Sequence, residues 1–532
     1  MSAMTSRTLR CTSQATEHGA SPAAATPRQR RLAKNKRQHK EGLEWRQQVL
    51  EEPATLSPPP PAAVGRGLPL SCPHFEACSG CTLDSNLDNP PVLHKAKAFF
   101  EDECGLGSFQ LHTSSESAQG WRQRARLAVR RDGSGRPVVG LFDKGSHAIT
   151  AIPSCVVHHP AINQAADLVQ QALEACAVEP YIEGNGSGQL RYVQLTVVDQ
   201  QAAGPPSGGT GASTAAAPAV QLVLVWNSEA AAEEGDSEGS ASLAALSALA
   251  SHLWQQGSQS ADRPPLLHSV WANFQPARTN VILGPEWRLL HGAELAWTRL
   301  GSADICFGPG SFMQANYAAM DRCLQVMQEH VPPGSVVADL HAGVGTIGLS
   351  LAATRQPRSV AAVEINGQGQ GSFEHAAARL QHSLAAAPPA GASDGSSSTT
   401  PPMQLGYHVA AAGSDPGRWC RNATTVVCDP PRKGLEASLL RWLCAVAPEQ
   451  GPAHMLYLSC SFASLRRDAT TLLASGRWRL RHAEGFLFVP GTNHIETLAV
   501  LSARQVPARH DGAAHTTNAP HPPCCNALRS HS

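Results

Sequence analysis

The sequence predicts an α/β fold with a Rossmann-like domain over about residues 301–505. Apolar runs of strand length alternate there with segments of helix length, which is the pattern of a parallel sheet. The run Ser335 to Leu340 leads into a glycine-rich turn, Gly343 to Gly348, and then into a helix. The next run, Val360 to Val363, ends at an acidic residue, Glu364. A strand, a glycine-rich turn, a helix and an acid closing the second strand form the half of a Rossmann-like unit that binds a nucleoside.

Two further runs in this domain end abruptly at polar residues. Thr424 to Cys428 stops at the segment Asp429-Pro430-Pro431-Arg432-Lys433-Gly434, and Met455 to Leu458 stops at Ser459-Cys460. The carboxyl ends of parallel strands are where ligands and chemistry are found in α/β sheets. A free cysteine is usually a buried packing residue, but at a strand end it is placed to act as a nucleophile.

The end of the domain and the middle of the chain predict antiparallel strands. The runs Gly485 to Val489 and Thr497 to Leu501 have no helix between them, so we expect an antiparallel pair. Residues 119–300 predict a β-rich central domain that begins with a hairpin from Trp121. Arg122, Arg124 and Arg126 share one face of its first strand, and the simplest interpretation is a solvated face. Low-complexity stretches at 204–218, 229–239 and 385–402 predict flexible insertions.

The chain has no net charge, but its charges are unevenly distributed. The 42 Lys and Arg residues match 42 Asp and Glu residues, so net charge gives no argument for a nucleic-acid partner. The first forty residues, however, hold many basic residues and one acid, Glu17. This composition predicts a transit peptide for a chloroplast or mitochondrion or, alternatively, a disordered basic arm of a cytoplasmic protein. Residues 1–70 and 506–532 are expected to be disordered or removed, and no apolar run is long enough to span a membrane.

The chain contains fifteen cysteines, which is a large number for its length. A disulfide framework is typical of short secreted chains, so metal-binding or catalytic cysteines in a reducing compartment are favoured here. Cys72, Cys78 and Cys81 lie close together in a predicted cysteine region, residues 71–118, and Cys155 supplies a distant fourth thiol. Four thiolates suit an iron–sulfur cluster and also suit structural zinc, and the residues leave both interpretations open.

Seven motifs in order over residues 72–501 resemble the RNA (uracil-5-)-methyltransferase family, and in particular its iron–sulfur branch that acts on ribosomal RNA. The matching segments are Cys72…Cys78…Cys81…Cys155, Ser311-Phe312-Met313-Gln314-Ala315-Asn316, Asp339 to Leu349, Val363-Glu364-Ile365-Asn366, Asp429 to Gly434, Ser459-Cys460 and His494-Ile495-Glu496-Thr497. The resemblance implies an S-adenosylmethionine-dependent methyltransferase domain and a 4Fe–4S cluster on the four cysteines. It also implies RNA as substrate, with no membrane and no obligate protein partner.

The resemblance assigns roles to residues of this chain. Uracil C5 is a weak nucleophile, so a thiolate must first add at C6; Cys460 would be that nucleophile and Glu496 the general base. The cofactor would be contacted by residues on several strand ends: Gln314, His341, Gly343, Gly345, Thr346, Glu364 and Asp429. The target base must leave its stack, and the face with Arg122, Arg124 and Arg126 becomes a candidate RNA surface. No pattern in residues 1–70 predicts the RNA-binding β-barrel that the family often carries.

The match departs from the family at the cofactor pocket. His341 and Ala342 stand where the family usually has an aromatic residue and a cysteine, and Ala410-Ala411 stands where it usually has Gly-Asp. Three alternatives accompany the prediction, and only the last of them draws on these departures. The substrate is transfer RNA rather than ribosomal RNA, the target is C5 of cytosine, or the chain is a cluster-bearing RNA-binding factor with weakened catalysis.

Overall fold

A computed structural model describes residues 69–113, 118–199, 218–233, 235–258, 264–386 and 402–504. The predicted basic arm and C-terminal tail lie outside these residues, apart from the last two residues of the arm, and so does almost all of the two insertions at 204–218 and 385–402. The chain divides into residues 1–65 and 66–532, and every element described below belongs to the second unit. No helix in the described part of the chain has the length and apolar character needed to cross a membrane.

The C-terminal domain is built on an eight-stranded sheet in the order β1-β16-β17-β15-β14-β11-β12-β13. Its strands are β1 (Gln110–His112), β11 (Val336–Leu340), β12 (Ser359–Glu364), β13 (Gln404–Val409), β14 (Thr425–Cys428), β15 (His454–Ser459), β16 (Trp478–Phe486) and β17 (Glu496–Ala503). Strands β11 to β15 are parallel, and β17 runs antiparallel to both β15 and β16. The predicted Rossmann-like sheet and its antiparallel end are confirmed, although β16 begins earlier than predicted.

Helices cover both faces of this sheet. They are α1 (Pro91–Lys97), α4 (Tyr317–Glu329), α5 (Thr346–Arg355), α6 (Gln370–Ala386), α7 (Pro416–Cys420), α8 (Ala437–Ala445) and α9 (Phe462–Ala474). One apolar core packs α4, α5 and α6 against the sheet, and a second packs α1, α7, α8 and α9 on the other face. Because both faces are buried, the central strands are continuously apolar, and their polar residues are displaced to the strand ends.

The central domain is a seven-stranded sheet in the order β4-β3-β2-β5-β6-β7-β8. Its strands are β2 (Arg124–Arg131), β3 (Pro137–Phe142), β4 (Ile149–Ala151), β5 (Leu190–Val198), β6 (Ala219–Trp226), β7 (Leu267–Phe274) and β8 (Glu286–Gly292). Helices α2 (Pro160–Ala175) and α3 (Ser237–Ser258) pack on one of its faces. The flexible insertion predicted at 229–239 is too long by its last three residues, because α3 begins at Ser237. A short antiparallel hairpin, β9 (Ala296–Leu300) and β10 (Ala303–Phe307), follows this sheet in the chain.

The cysteine segment, residues 69–113, carries three of the predicted cluster ligands and also forms part of the C-terminal domain. Helix α1 continues into a π-helical turn, Ala98–Glu103, whose Phe99 and Phe100 pack against Phe462 of α9. Strand β1 then adds to the edge of the large sheet beside β16. Apolar side chains of the predicted cysteine region, 71–118, thus also complete the core of the domain predicted to begin near residue 301.

Candidate active site and cysteine cavity

Strand register brings the predicted catalytic residues to one edge of the large sheet. Leu340 pairs with Cys428 and Cys428 with Tyr457, so His341, Asp429 and the residues after β15 leave the sheet side by side. Strand β17 is antiparallel and Ser459 pairs with Thr497, so Glu496 meets the end of β15. We call this group of four residues, His341, Asp429, Cys460 and Glu496, the catalytic edge.

Cys460 lies between the end of β15 and the start of α9. The Oγ of Ser459 donates to the carbonyl of Ser461, at 3.1 Å, and the Oγ of Ser461 accepts from the amide of Ser464, at 3.4 Å. These bonds fix the turn that carries the thiol. A helix N-terminus favours a nearby thiolate, but burial, together with the carboxylates of Glu496 and Asp429, raises the pKa of Cys460 to about 11. The guanidinium of Arg432 opposes this shift.

Glu496 and Asp429 are carboxyl groups held away from water. Glu496 is only 8% exposed, and burial, followed by the charge of Asp429, raises its pKa well above the usual range. Burial also raises the pKa of Asp429 to about 7. A positive charge delivered to this edge would favour the ionised form of all three acidic groups, because the raised pKa values come from burial and mutual repulsion.

A small cavity of about 50 Å³ adjoins the catalytic edge. Its lining includes several residues that the sequence assigned to the cofactor: Gln314, His341, Gly343, Thr346 and Asp429. Gly345 adopts a left-handed conformation, φ 82°, and a Cβ there would lie 2.3 Å from the ring of Phe373. The turn can therefore bring its backbone close to a ligand only with glycine at this position.

Glu364 is held in place at the end of β12. Its carboxylate accepts the amide of Gly343, at 3.1 Å, and the amide of Asn366, at 2.8 Å. Two large apolar side chains lie exposed beside it, Ile365 at 72% and Val409 at 52%. Strands β12 and β13 pair Glu364 with Val409, so these groups share one strand end. An acid beside exposed apolar side chains suits a ribose with its attached base.

His341 has an unusual conformation and a charged partner. Its φ is 61°, in the left-handed region that non-glycine residues seldom adopt. The Nε2 atom lies 2.9 Å from Oε2 of Glu436, the residue that precedes α8. Its Nδ1 atom is buried without a hydrogen-bond partner, as is Oδ1 of Asp339 at the end of β11. Two buried polar atoms without partners beside a cavity are typical of a site that binds a polar ligand.

Sequence reasoning missed Phe312. This aromatic side chain lines the cavity, yet 71% of it is exposed. Its only sequence signal was its place two residues before Gln314 in a matched motif, because an isolated Phe otherwise predicts a core residue. An exposed aromatic ring at the mouth of a ligand cavity can stack on an extruded base.

The three predicted RNA-binding arginines occupy different environments. Arg124 is buried and donates to the carbonyls of Ser311, at 2.6 Å, and Pro309, at 3.2 Å, so it fastens the central sheet to the loop that carries Phe312. Arg126 is exposed and donates to Gln194 at 2.7 Å. Arg122 lies over the ring of Trp121 at 4.8 Å. Contact with RNA remains a prediction for these residues, and the bonds of Arg124 give it a structural role.

Four predicted cluster ligands line one cavity of about 230 Å³, which we call the cysteine cavity: Cys72, Cys78, Cys81 and Cys155. Burial, together with the charges of Cys155 and Cys78, raises the pKa of Cys81 to about 11. Within the described residues, no group of three or more His, Cys, Asp or Glu side chains converges to hold a metal ion. The four thiols therefore surround a space rather than meet at a point.

The cysteine cavity is joined to the loop that precedes Glu496. The amides of Thr82 and Leu83 donate to the carbonyl of Gly491, at 2.8 and 2.9 Å. Gly491 has a φ of 89°, and a Cβ there would lie 3.3 Å from the sulfur of Cys81. A small apolar cluster around Leu70 and Trp121 also includes Ala315, next to Gln314. The cysteine segment thus supports two loops of the candidate active site.

Known proteins similar to this chain include RNA methyltransferases. No family model matches the chain. An uncharacterized RNA methyltransferase of Protochlamydia amoebophila is 31% identical over 433 residues, which is 81% of this chain and 97% of the relative. An uncharacterized RNA methyltransferase of Geobacter sulfurreducens is 28% identical over 442 residues, 81% of this chain and 76% of the relative.

A solved structure supports the fold. The tRNA (uracil-54, C5)-methyltransferase of Pyrococcus abyssi, in complex with S-adenosyl-L-homocysteine, is similar with a TM-score of 0.54 and 20% identity. The similarity covers 80% of this chain and 86% of the archaeal protein. At this identity the likeness establishes a shared Rossmann-like fold, and it leaves the choice of substrate to the site itself.

Proposed function

The chain belongs to the RNA methyltransferase family, and from that premise we propose that it methylates C5 of a uracil in RNA with S-adenosylmethionine as methyl donor. The observation that carries this proposal is the catalytic edge. A thiol and a buried carboxyl group, Cys460 and Glu496, leave adjacent strands beside the cofactor cavity. The uracil C5 reaction needs this pair, one group to add at C6 and one to remove the C5 proton.

The proposed reaction uses each group of the pair once. The thiolate of Cys460 adds to C6, forming a C–S bond and moving electron density to C5, which then bonds to the incoming methyl group. S-adenosylmethionine would supply that methyl group in electrophilic form: its methyl–sulfur bond breaks, the electron pair stays on sulfur, and the neutral thioether leaves. The carboxylate of Glu496 removes the proton from C5, the C5–C6 double bond re-forms, and the C–S bond breaks to release the thiolate. Exposed Phe312 stacks on the target base while this happens.

Residues that line the cavity, together with Gly345 and Glu364 outside its lining, offer groups that suit the proposed donor. Gly343 and Gly345 allow close approach of the backbone, Glu364 offers carboxylate oxygens to a ribose, and Gln314 and Asp429 offer polar atoms near the catalytic edge. The orphaned Nδ1 of His341 and Oδ1 of Asp339 add polar atoms that a ligand or water would satisfy. Thr346 begins helix α5, so its amide is one of the donors left free at a helix N-terminus.

The raised pKa values predict a reaction that speeds up with pH. Cys460 and Glu496 are acids whose pKa values lie above their usual range. Each is therefore protonated at low pH and becomes active as pH rises. A bound sulfonium, being positive, favours both ionised forms, so we expect donor binding to precede addition of the thiolate to RNA.

We further propose that the cysteine cavity holds a 4Fe–4S cluster on Cys72, Cys78, Cys81 and Cys155. The four irons of a cubane cluster each take one thiolate, so the sulfurs surround a volume, whereas a zinc ion needs all four sulfurs about 2.3 Å from one point. Thiols around a cavity of about 230 Å³ fit the first arrangement. Such a cluster would cross-link the cysteine segment to the central domain.

We propose ribosomal RNA as the substrate, with an exposed or single-stranded uridine. The proposal rests on the resemblance of the cysteine motif to the ribosomal branch, and the archaeal transfer RNA enzyme keeps transfer RNA as the second candidate. Arg126, together with Arg432 and Lys433 after β14, offers exposed positive charge for phosphates. The proposed transit peptide in residues 1–70 would deliver the enzyme to an organelle; imaging of a fluorescent fusion tests that point.

A trapping experiment tests the proposed function. The protein is incubated with RNA containing 5-fluorouridine and S-adenosylmethionine, because fluorine at C5 prevents the last elimination. We expect a covalent protein–RNA adduct that maps by mass spectrometry to the peptide with Cys460. No adduct, or an adduct on another cysteine, contradicts the proposal. Calorimetry with the donor tests the RNA-binding-factor alternative, which absence of measurable affinity would support, and mapping 5-methyluridine in cells with and without the protein identifies the RNA.

A further inference from the structure

We infer that helix α9 positions the loop after β14, and with it one wall of the methyl-donor site, relative to the thiol of Cys460. Three side chains of α9, which we call the loop clamp, hold that loop: Ser464, Arg467 and Asp468. The inference rests on the proposed function, because it concerns the same site and the same reaction. It assigns to the loop clamp a positioning role that acts through the backbone of the loop.

The loop clamp holds two neighbouring carbonyl groups of the loop. The hydroxyl of Ser464 donates to the carbonyl of Arg432 at 2.5 Å. The guanidinium of Arg467 donates to the carbonyl of Lys433 at 2.7 Å. Because Ser464 and Arg467 lie one turn apart on α9, the loop runs along one face of this helix.

Asp468 is the buried member of the loop clamp. Its side chain is fully buried, and its Oδ2 accepts the amide of Leu435 and the hydroxyl of Tyr457, both at 2.9 Å. Its Oδ1 accepts Nε of Arg467, also at 2.9 Å. An asparagine at this position would present its own N–H groups to one of these three donors, so the site requires a carboxylate.

Gly434 shows how closely the loop and the helix approach each other. Its φ is 83°, and a Cβ at this position would collide with the carboxylate of Asp468 and the guanidinium of Arg467. A side chain would therefore strain the backbone and push the loop away from α9. The loop clamp thus gives a physical reason for the glycine that ends the motif Asp429 to Gly434, which the proposed chemistry alone does not explain.

The same helix carries the turn of the nucleophile. Cys460 lies two residues before α9, and its neighbour Ser461 caps the helix. The amide of Ser464 donates to Oγ of Ser461 at 3.4 Å, and the hydroxyl of Ser461 donates to Oγ of Ser464 at 3.2 Å. At the other end of the loop, Asp429 lines the cofactor cavity. One hydrogen-bonded unit therefore joins a wall of the donor site to the turn of the thiol.

The proposed reaction needs these two parts at a fixed separation. The sulfur of Cys460 holds C6 of the base, and the methyl group must then reach the adjacent C5 from the donor. A misplacement of about 1 Å can slow such a transfer by about a hundredfold. Addition of the thiolate needs only Cys460 and the base. Loss of the loop clamp should therefore slow methyl transfer and leave addition to C6 intact.

Two assays measure these steps separately, both with RNA extracted from cells that lack the protein. For the first, the cells are fed uridine tritiated at C5, and the protein is given sinefungin, a donor analogue with an amine in place of the sulfonium. No methyl group can move, so the C6 adduct takes up a solvent proton at C5 and releases tritium to water when the thiolate leaves. The second assay measures transfer of a radiolabelled methyl group from S-adenosylmethionine to unlabelled RNA. Cys460→Ala gives the background of both.

The main variant is Asp468→Asn, and Tyr457→Phe is its matched control, because it removes another donor to the same carboxylate oxygen and leaves the loop in place. For Asp468→Asn we expect kcat for methyl transfer to fall about 10- to 100-fold. We expect its rate of tritium release to stay within about twofold of wild type, and Tyr457→Phe to keep both rates.

A second variant leaves the buried carboxylate intact. Ser464→Ala removes the bond to the carbonyl of Arg432 but keeps the amide that caps the helix at Ser461. We expect a smaller loss of methyl transfer with tritium release unchanged, and we expect Ser464→Thr, which keeps a hydroxyl group, to restore the rate.

Two results overturn the inference. One is an equal loss of tritium release and methyl transfer in Asp468→Asn and Ser464→Ala, which would show that these residues only support the fold. The other is wild-type methyl transfer by both variants. Failure of the wild-type protein to release tritium is a different result, because it contradicts the proposed function itself.

Discussion

The catalytic edge and the cysteine cavity both bury thiols, and they differ in what surrounds those thiols. Burial raises the pKa of Cys460 and of Cys81 to about 11. Beside Cys460 lie two carboxyl groups and one guanidinium, whereas beside Cys81 lie other thiols and Arg122. Equal burial thus gives no distinction between a nucleophile and a metal ligand. The distinction comes from the neighbours, since a carboxylate can receive a proton from substrate and a second thiol can share a metal.

The largest effect is expected at the thiol of the catalytic edge. Cys460→Ala should lower methyl transfer by at least about 10⁴-fold, because the C6 adduct cannot form. Cys323→Ala is the matched control, since Cys323 is a buried thiol that also feels the charges of Glu496 and Asp429. Transfer of labelled methyl groups to RNA measures both. Comparable loss in the control would show that burial beside carboxylates, and not nucleophilic attack, explains the sensitivity.

The next largest effect is expected at Glu496, the carboxyl group that distinguishes the catalytic edge from the cysteine cavity. Glu496→Gln should lower the rate by about 10²- to 10⁴-fold and should accumulate the Cys460 adduct on ordinary RNA, because elimination needs a base. Glu484→Gln, a carboxyl group on the neighbouring strand β16, is the control and should stay near wild type. Gel-shift detection of the adduct decides the matter. Rapid turnover by Glu496→Gln would assign the base role to another group.

A smaller effect is expected at Phe312, the exposed aromatic residue that lines the cofactor cavity. Phe312→Ala should lower kcat/KM for RNA by about tenfold, within the range of one base–aromatic stacking interaction. Affinity for S-adenosylmethionine should stay within about twofold of wild type, and Phe312→Tyr should restore the activity. Steady-state kinetics with varied RNA gives the first quantity, and calorimetry gives the second. A loss confined to donor affinity would show that Phe312 contacts the cofactor and not the target base.

The smallest effect on rate is expected in the cysteine cavity. Cys81→Ser should remove most of the iron from anaerobically purified protein and lower Tm by about 5 °C or more, because metal binding contributes to folding. The rate at 25 °C should change by only about threefold. Cys176→Ser, outside the cavity, should change neither iron content nor Tm. Stoichiometric zinc in the wild-type protein would overturn the cluster, and a loss of rate as large as that of Cys460→Ala would overturn the contrast between the two regions.

Strand ends could be predicted from the sequence because each apolar run stops at a polar residue with chemical meaning. Asp429, Cys460 and Glu496 are all found where those runs placed them. The burial of Arg124 could not be predicted, since a strand arginine with carbonyl partners nearly two hundred residues away looks the same in sequence as a solvated one. The exposure of Phe312 could not be predicted either, because an exposed phenylalanine and a buried one look the same in sequence. Local patterns report secondary structure, whereas partners distant in sequence decide which side chain is buried.

The place of the cysteine segment has a consequence for how the chain is made. Phe99 and Phe100 leave the ribosome early, yet their partner Phe462 and the strand beside β1 are among the last parts to be synthesised. Contacts between segments so far apart close slowly and leave apolar surface exposed meanwhile. We therefore expect the nascent chain to need a chaperone until β17 inserts between β15 and β16. A fragment that starts at residue 301 should aggregate, and adding residues 69–113 as a separate peptide should rescue it.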